Sequence, residues 1–469
     1  MKLTEKVNLL KSKLPIDTSY DVLSREILIG ETSAYFIFVD GFAKDDILYY
    51  FLENIQNYKG DIKNLSNFFK NQVAYIESEE VKDDKTFDNL VVSVLSGMFA
   101  IVFEEYENYF LLDTRNYPVR SITESEVEKV VRGARDSFVE TIVFNTALIR
   151  RRIRVADLIF DMQKVGNNSK TDIVISYIDS KVDKKLLNNV KNMIKDIDTE
   201  ALILGAEYIE EFLFNKKWYN PLPMVKYTER PDVAAAYLIE GHIAIIIDST
   251  PVAIILPVNI FTFTQHIGDY NLKTLNGTIV KIFRFFSILL ATFFAPIFIY
   301  LSDHTKYFEN LFEKINKSSE SPEALLSFFM QILILEILFF ILQTSAIHIP
   351  KQIAPMISII GGLMLGDIAI KAGVFTSVSL LVMLATVICT YNIPSIELSD
   401  ALRIFRLFMI IATGFFGGIG LLFSFVLILI IIFGTKNIDG AKRYTYPLFP
   451  FNLKHLLNLI FKRPINKVK

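Results

Sequence analysis

The sequence predicts an α/β soluble region of two related subdomains followed by an all-α transmembrane domain. Charge partition is the first observation behind this. Of the 49 Lys+Arg and 51 Asp+Glu in 469 residues, positions 1–278 hold 32 and 41, net −9. Positions 279–469 hold the other 17 and 10, net +7. The second observation is that nearly all long charge-free runs lie after position 278. The exception, 249–268, is broken by Pro251 and Pro257. The third is a strand-helix pattern that recurs within the first part. An acidic soluble module precedes a membrane module.

The first 20 residues are polar and read as a frayed end or a short helix. SAYFIFV (33–39) reads as a buried strand, Asp40-Gly41 as a turn, and 43–57 as an amphipathic helix with Ile47, Phe51 and Ile55 on one face. FAIVF (99–103) and YFLL (109–112) read as paired strands around the polar turn EEYEN. Residues 137–153 are expected to form one long helix that ends in an arginine-rich turn. DIVISYID (172–179) is another strand, followed by a helix over about 183–195. This pair matches 33–57 at an offset of 139, and Gly241-His-Ile-Ala-Ile matches Gly97-Met-Phe-Ala-Ile at 144. Two matches at nearly one offset predict related subdomains, divided as 1–148 and 149–272. A membrane domain, 273–435, and a basic tail, 436–469, complete the chain.

The charge-free runs of the membrane module are 285–302, 324–335, 337–350, 352–366, 372–396 and 407–435. The first, 18 residues, is about 27 Å long as a helix, enough to span. Glu336 and Asp367 interrupt two of the five blocks. Basic residues flank the module at Lys273, Lys281 and Arg284 and again along the tail. The positive-inside rule then places both ends in the cytoplasm, which requires an even number of crossings. One interrupted block is therefore expected to be re-entrant, broken or interfacial. No apolar stretch of signal-peptide length begins the chain, so export of the soluble module is not expected.

Each charged motif has a bland reading and a functional one. Arg150-Arg151-Arg152-Ile153-Arg154 suits a helix C-terminus, or alternatively an anionic lipid or acidic neighbouring subunit. Thr228-Glu229-Arg230-Pro231-Asp232 ahead of an Ala-rich helix is ordinary helix-start chemistry. Glu336 and Asp367 differ, because a charge at bilayer depth is costly unless paired or wet, and such residues usually face a bundle interior or pore. Asp367 lies four residues from Lys371, so a local pair is the equal alternative. Gly362 and Gly366, and Gly414 and Gly418, have the spacing that lets membrane helices approach closely.

Several classes are excluded. The single cysteine, Cys389, rules out a disulfide scaffold and thiolate zinc sites. The histidines at 242, 266, 304, 348 and 455 have no metal spacing. No nucleophile motif or phosphate loop is present, so neither an enzyme nor a cofactor is expected. The acidic soluble part argues against nucleic acid.

The chain resembles the A subunits of the GerA family of spore germinant receptors over about 24–465. The carrying segments are SREILIG (24–30), VVRGARDSFVETIVFNTALIRRRIR (130–154), SKTDIVISYI (169–178) and YTERPDVAAAYLIEGHIAIIIDSTP (227–251). GGLMLGDIAIKAGVF (361–375) and IPSIELSDALRIFRLF (393–408) carry it into the membrane module. Asn116-Tyr117-Pro118, Arg135-Asp136-Ser137-Phe138, Gln265-His266 and Ala346-Ile347-His348-Ile349-Pro350 are similar to the stage V sporulation protein AF branch. Gln343-Thr344-Ser345 stands where nutrient-receptor subunits usually carry an Arg-Glu pair, so no role of that pair transfers. Ser137 replaces the usual Gly.

The resemblance implies a multi-pass protein of the spore inner membrane, with its soluble domain and tail in the spore core. It implies a homo-oligomeric gated ion channel that contacts lipid, ions and other germination membrane subunits. Arg132, Gly133, Arg135, Asp136, Arg150, Arg151, Arg152, Glu229, Arg230, Pro231 and Asp232 then carry structural or interface roles, while Glu336 and Asp367 are expected at a pore or gate on the cost of their charge alone. Alternatives are a nutrient receptor A subunit working with permease-like B and lipoprotein C subunits, a secondary transporter with a regulatory cytosolic domain, and a membrane-anchored scaffold. A transporter should show inverted repeats of its spans, whereas here the repeat lies in the soluble part.

Overall fold

The computed structural model describes residues 3–29, 32–42, 45–56, 58, 76–80, 84–103, 108–115, 117, 128, 133–202, 205–214, 218–304, 325–346, 369–438, 441 and 443–462. The chain folds as two compact units. One comprises 1–216, 224–258 and 437–441, the other 217–223, 259–436 and 442–469.

The first unit opens with α1 (Leu3–Lys13), an ordered helix because Leu3 and Leu10 are buried. β1 (Val22–Ile29) and β2 (Thr32–Val39) form an antiparallel hairpin with Val22 opposite Val39. α2 (Asp45–Gln56), β3 (Ile76–Glu80), α3 (Asp84–Leu95), β4 (Phe99–Phe103) and β5 (Asn108–Leu112) follow. The strands lie in the order β1-β2-β4-β5-β3. Alternation along β2 sends Tyr35, Ile37 and Val39 to one core with residues of α1 and α3. Ala34 and Phe36 point to the other, with Phe51 and Ile55 of α2. The sheet is thus covered on both faces.

The pattern then repeats. α4 (Ile142–Arg150), β6 (Leu158–Val165), β7 (Thr171–Ile178), α5 (Lys184–Lys195), α6 (Ala206–Leu213), β8 (Lys226–Thr228), α7 (Pro231–Ile239), β9 (Ile243–Ile247) and β10 (Ala253–Leu256) build a second sheet. Its order, β6-β7-β9-β10-β8, is that of the first. The helices α3 and α7 also stop in the same way. Gly97 N bonds to Val94 O and Met98 N to Ser93 O, as Gly241 N does to Leu238 O and His242 N to Tyr237 O. These are Schellman ends, with glycine at φ +97 and +92. A Cβ on Gly97 would meet Phe42 at 2.9 Å, and one on Gly241 would meet Lys181 O at 2.8 Å. Phe42 and Lys181 are themselves 139 positions apart. The duplication therefore reaches down to a shared packing contact.

Two expectations are corrected here. The helix expected over 137–153 begins at Ile142 and ends at Arg150. Phe138 N donates to Glu229 O at 2.7 Å, and the Asn145 amide bonds both Val139 N and Val139 O. Those tertiary bonds hold 138–139 out of the helix. The division at 148 also falls inside α4. Ala147 packs into the first core, while Ile142 and Ile149 pack into the second. β1 and β6 are edge strands with partly exposed residues, so alternation does not announce them.

In the second unit, two short 3₁₀ turns precede α8 (Thr274–His304), α9 (Phe328–Ala346), α10 (Ser377–Tyr391), α11 (Ile396–Gly434) and α12 (Leu453–Ile460). Three of these, α8, α9 and α11, are long and apolar enough to cross a membrane. α10 is shorter at 15 residues, so the run 372–396 yields less helix than its length suggests. α8 and α11 instead extend past their charge-free runs, because Lys281, Arg284, Arg403 and Arg406 are buried. The run 352–366, Asp367, Gly362, Gly366 and His348 lie outside the described residues. Gly414 and Gly418 do face neighbouring helices, receiving the rings of Phe329 and Tyr300 of the same chain. α11 is broken at Gly417, with φ 56 and ψ −137.

Candidate functional site

In the first unit, the conspicuous motifs of the sequence meet one another. Arg150 at the end of α4 is fully buried, and its Nε and Nη2 grip the two Asp21 carboxylate oxygens at 2.8 and 2.9 Å. Its other N–H groups reach the carbonyls of Val155 and Leu158. This side chain ties the start of the first sheet to the second, and the lipid or subunit reading does not apply to it. Arg152 Nη2 donates to both oxygens of Asp136 at 2.6 Å. Arg151 is exposed and lies 4.6 Å over the Tyr117 ring.

Arg230 is the N-cap of α7, with Pro231 in the first turn, as the helix-start reading expects. Its guanidinium does more than start a helix. It is bidentate to Asp232 at 2.7 and 3.0 Å and also donates to Glu128 O and Ala134 O. The backbone of Glu229 holds Phe138 N. Glu128, Ala134 and Phe138 are thereby pinned to the start of α7. Glu128 accepts from Thr228 and lies 3.9 Å from Lys226 Nζ. Burial pushes its carboxyl above the usual range, against the pull of Lys226, Thr228 and Arg230. Ser137 Oγ is buried without a partner among the described residues, in line with a position that suits glycine. Gly133, at φ 132, and Arg135 are exposed, and Arg132 lies outside the described residues.

In the second unit, the polar centre is an ion pair between apolar helices. Glu336 of α9 accepts from Arg406 of α11, with Nη2–Oε1 at 2.7 Å and Nε–Oε1 and Nε–Oε2 at 3.1 Å. Each side chain is 3% exposed. Arg406 Nη1 also donates to Ala291 O of α8 at 2.6 Å and to Thr390 Oγ1 of α10 at 3.0 Å. One guanidinium thus joins the four long apolar helices among the described residues. Of the two states open to a charge at bilayer depth, paired or wet, Glu336 is paired, within the chain and with a residue 70 positions away. A small cleft adjoins the pair, lined among others by Gln343, Tyr391 and Arg403. Gln343 accepts from Arg403, whose guanidinium lies 5.5 Å from the Phe340 centroid.

Sequence reasoning missed Asp21, Arg406 and Thr390. The available signal for Arg406 was its spacing from Arg403 at the head of an apolar run, since an arginine there must find a partner. Near the start of α8, Arg284 is bidentate to Asp269 at 2.6 and 3.0 Å, so this basic residue is also neutralised locally.

The family described as "Bacillus/Clostridium GerA spore germination protein" matches residues 8–469. Stage V sporulation protein AF of Bacillus subtilis is 36% identical over 98% of this chain and 92% of its own. Spore germination protein KA of the same organism is 27% identical over 97% and 84%. The crystal structure of the N-terminal domain of the A subunit of the Bacillus megaterium spore germinant receptor GerK3 is similar at 23% identity and a TM-score of 0.41, covering 55% of this chain and 94% of that one. The chain belongs to the GerA family of spore germination proteins.

Proposed function

We propose that this chain is an A-type subunit of a spore germination membrane complex that assembles with its own copies into a gated ion channel. It would release ions, or amplify their release, at germination. The observation that supports this most is the buried Glu336–Arg406 pair at the junction of four apolar helices, since charge at bilayer depth usually marks an ion path or its gate. In this reading the closed pair keeps the helices together, and water reaching Glu336 would attract cations. The α/β unit and the tail lie on the cytoplasmic side of the inner membrane. Residues modified by a membrane-impermeant thiol reagent from outside, at cysteines placed in the α/β unit, would reverse that orientation.

Conductance of the full chain reconstituted in planar bilayers tests the channel. Glu336→Gln keeps size and hydrogen bonding but removes charge, so cation flux or selectivity should fall in the protein that still assembles. Unchanged conductance would reject the pore role, and loss of the protein would make the pair purely structural. A nutrient-receptor assembly with B and C subunits is the second reading, favoured by similarity to spore germination proteins KA and A1. Gln343 occupies the receptor Arg-Glu position and serves Arg403 instead, which favours the first. Co-purification from spores would separate the two.

A further inference from the structure

One end of the helical unit gathers three segments that are remote in sequence. Asn220 Nδ2 donates to Thr435 Oγ1 at 3.0 Å, just past the end of α11. Tyr444, fully buried, donates to Pro223 O and accepts from Ile260 N, both at 3.0 Å. Further along, Gln265 Nε2 donates to Leu459 O of α12, and Lys462 N donates to Thr278 Oγ1 in the first turn of α8. The loop at 218–223 and the tail 443–462 are therefore fixed beside the ends of two helices of spanning length. A helix that spans ends at the bilayer surface, so these segments sit at that surface.

What they present outward is apolar and aromatic. Trp218 is 95% exposed, and Tyr219, Phe449, Phe451, Leu453, Leu457 and Phe461 are exposed with it. Leu453, Leu457 and Phe461 recur every fourth position, so they form one stripe along α12. Beside it, Lys454 is exposed on α12, and Arg443, also exposed, lies 4.5 Å over the Phe449 ring. Residues 443–462 contain no Asp or Glu. Water is a poor environment for such a surface. Trp and Tyr settle at the headgroup level, and a basic amphipathic helix lies flat in that layer. A segment with this positive charge and no acid of its own selects for anionic headgroups.

We propose that Trp218, Tyr219, Phe449, Phe451 and α12 form a collar seated in the headgroup layer of the membrane that α8 and α11 cross, and that this collar recognises anionic phospholipid. Continuity with the spanning helices and the sign of its charge both point to lipid as the occupant, and a protein partner is the outcome that would overturn it.

The test is direct because Trp218 is the only tryptophan in the chain. The full protein is reconstituted in vesicles of equimolar phosphatidylcholine and phosphatidylglycerol, and Trp218 emission is quenched with brominated lipids. Lipid brominated near the carbonyl end of the acyl chain should quench roughly twofold more than lipid brominated near the methyl end. Brominated phosphatidylglycerol should quench roughly twofold more than brominated phosphatidylcholine. The second difference should vanish in the Arg443→Gln, Lys454→Gln variant. Trp218→Phe with Phe451→Trp moves the probe and should give the same two orderings. Efficient quenching by aqueous iodide with none by either lipid would overturn the proposal, leaving the face to water or to a protein. Equal quenching by the two headgroups would overturn the recognition of anionic lipid.

Discussion

Arg406 shows how one side chain can decide the packing of a membrane unit. Its partners come from three other helices, and removing it would leave the Glu336 carboxylate buried and alone. Such a loss costs about 3–5 kcal/mol, whereas replacing both members with apolar residues is often neutral. Arg406→Met and Glu336→Leu should each destabilise strongly, and the double variant should recover most of the loss. A double-mutant cycle on unfolding in detergent would read the coupling, and simple additivity would remove the clamp role. At the same scale, Glu128 binds its proton more tightly when folded than at its unfolded value of 4.5. Its contribution is therefore greatest below pH 4.5 and is lost as pH rises through the folded value. Glu128→Gln should flatten the fall of stability with rising pH above that point. Urea midpoints measured across pH on both proteins would show this, and parallel curves would contradict it.

At the scale of the element, the two Schellman ends predict unequal costs for one substitution. Alanine at either glycine must adopt a positive φ, which costs on the order of 1 kcal/mol. At Gly97 the added Cβ meets the side chain of Phe42, which can move. At Gly241 it meets the main-chain carbonyl of Lys181, which is held by its own turn. Gly241→Ala should therefore be the more damaging, and susceptibility of the full chain to limited proteolysis should rank the variants accordingly. Equal susceptibility would mean that the turn after β7 yields as easily as a ring.

For the whole molecule, the repeat of strand order shows that the first unit closes two sheets with apolar cores of their own. A fragment of residues 1–272 should then be soluble and give a mixed α/β circular dichroism spectrum. Aggregation alone, or a random-coil spectrum, would show that the sheets need the rest of the chain.

Much of this was legible in the residues themselves. The apolar runs SAYFIFV and DIVISYID, the two offsets, and the charge partition determined the α/β repeat and the membrane module, because short apolar runs and their bounds are written locally. The charge-free runs determined which segments are apolar, and the family motifs could be read as strings. Only the tertiary structure decided what the charges do. Asp21 meets Arg150 across 129 positions and Glu336 meets Arg406 across 70, distances over which no periodicity reports. Likewise, 138–139 leaves the helical pattern because Glu229 and Asn145 offer it better hydrogen bonds. Local propensity sets the elements, whereas a buried charge takes whichever partner the folded chain brings within reach.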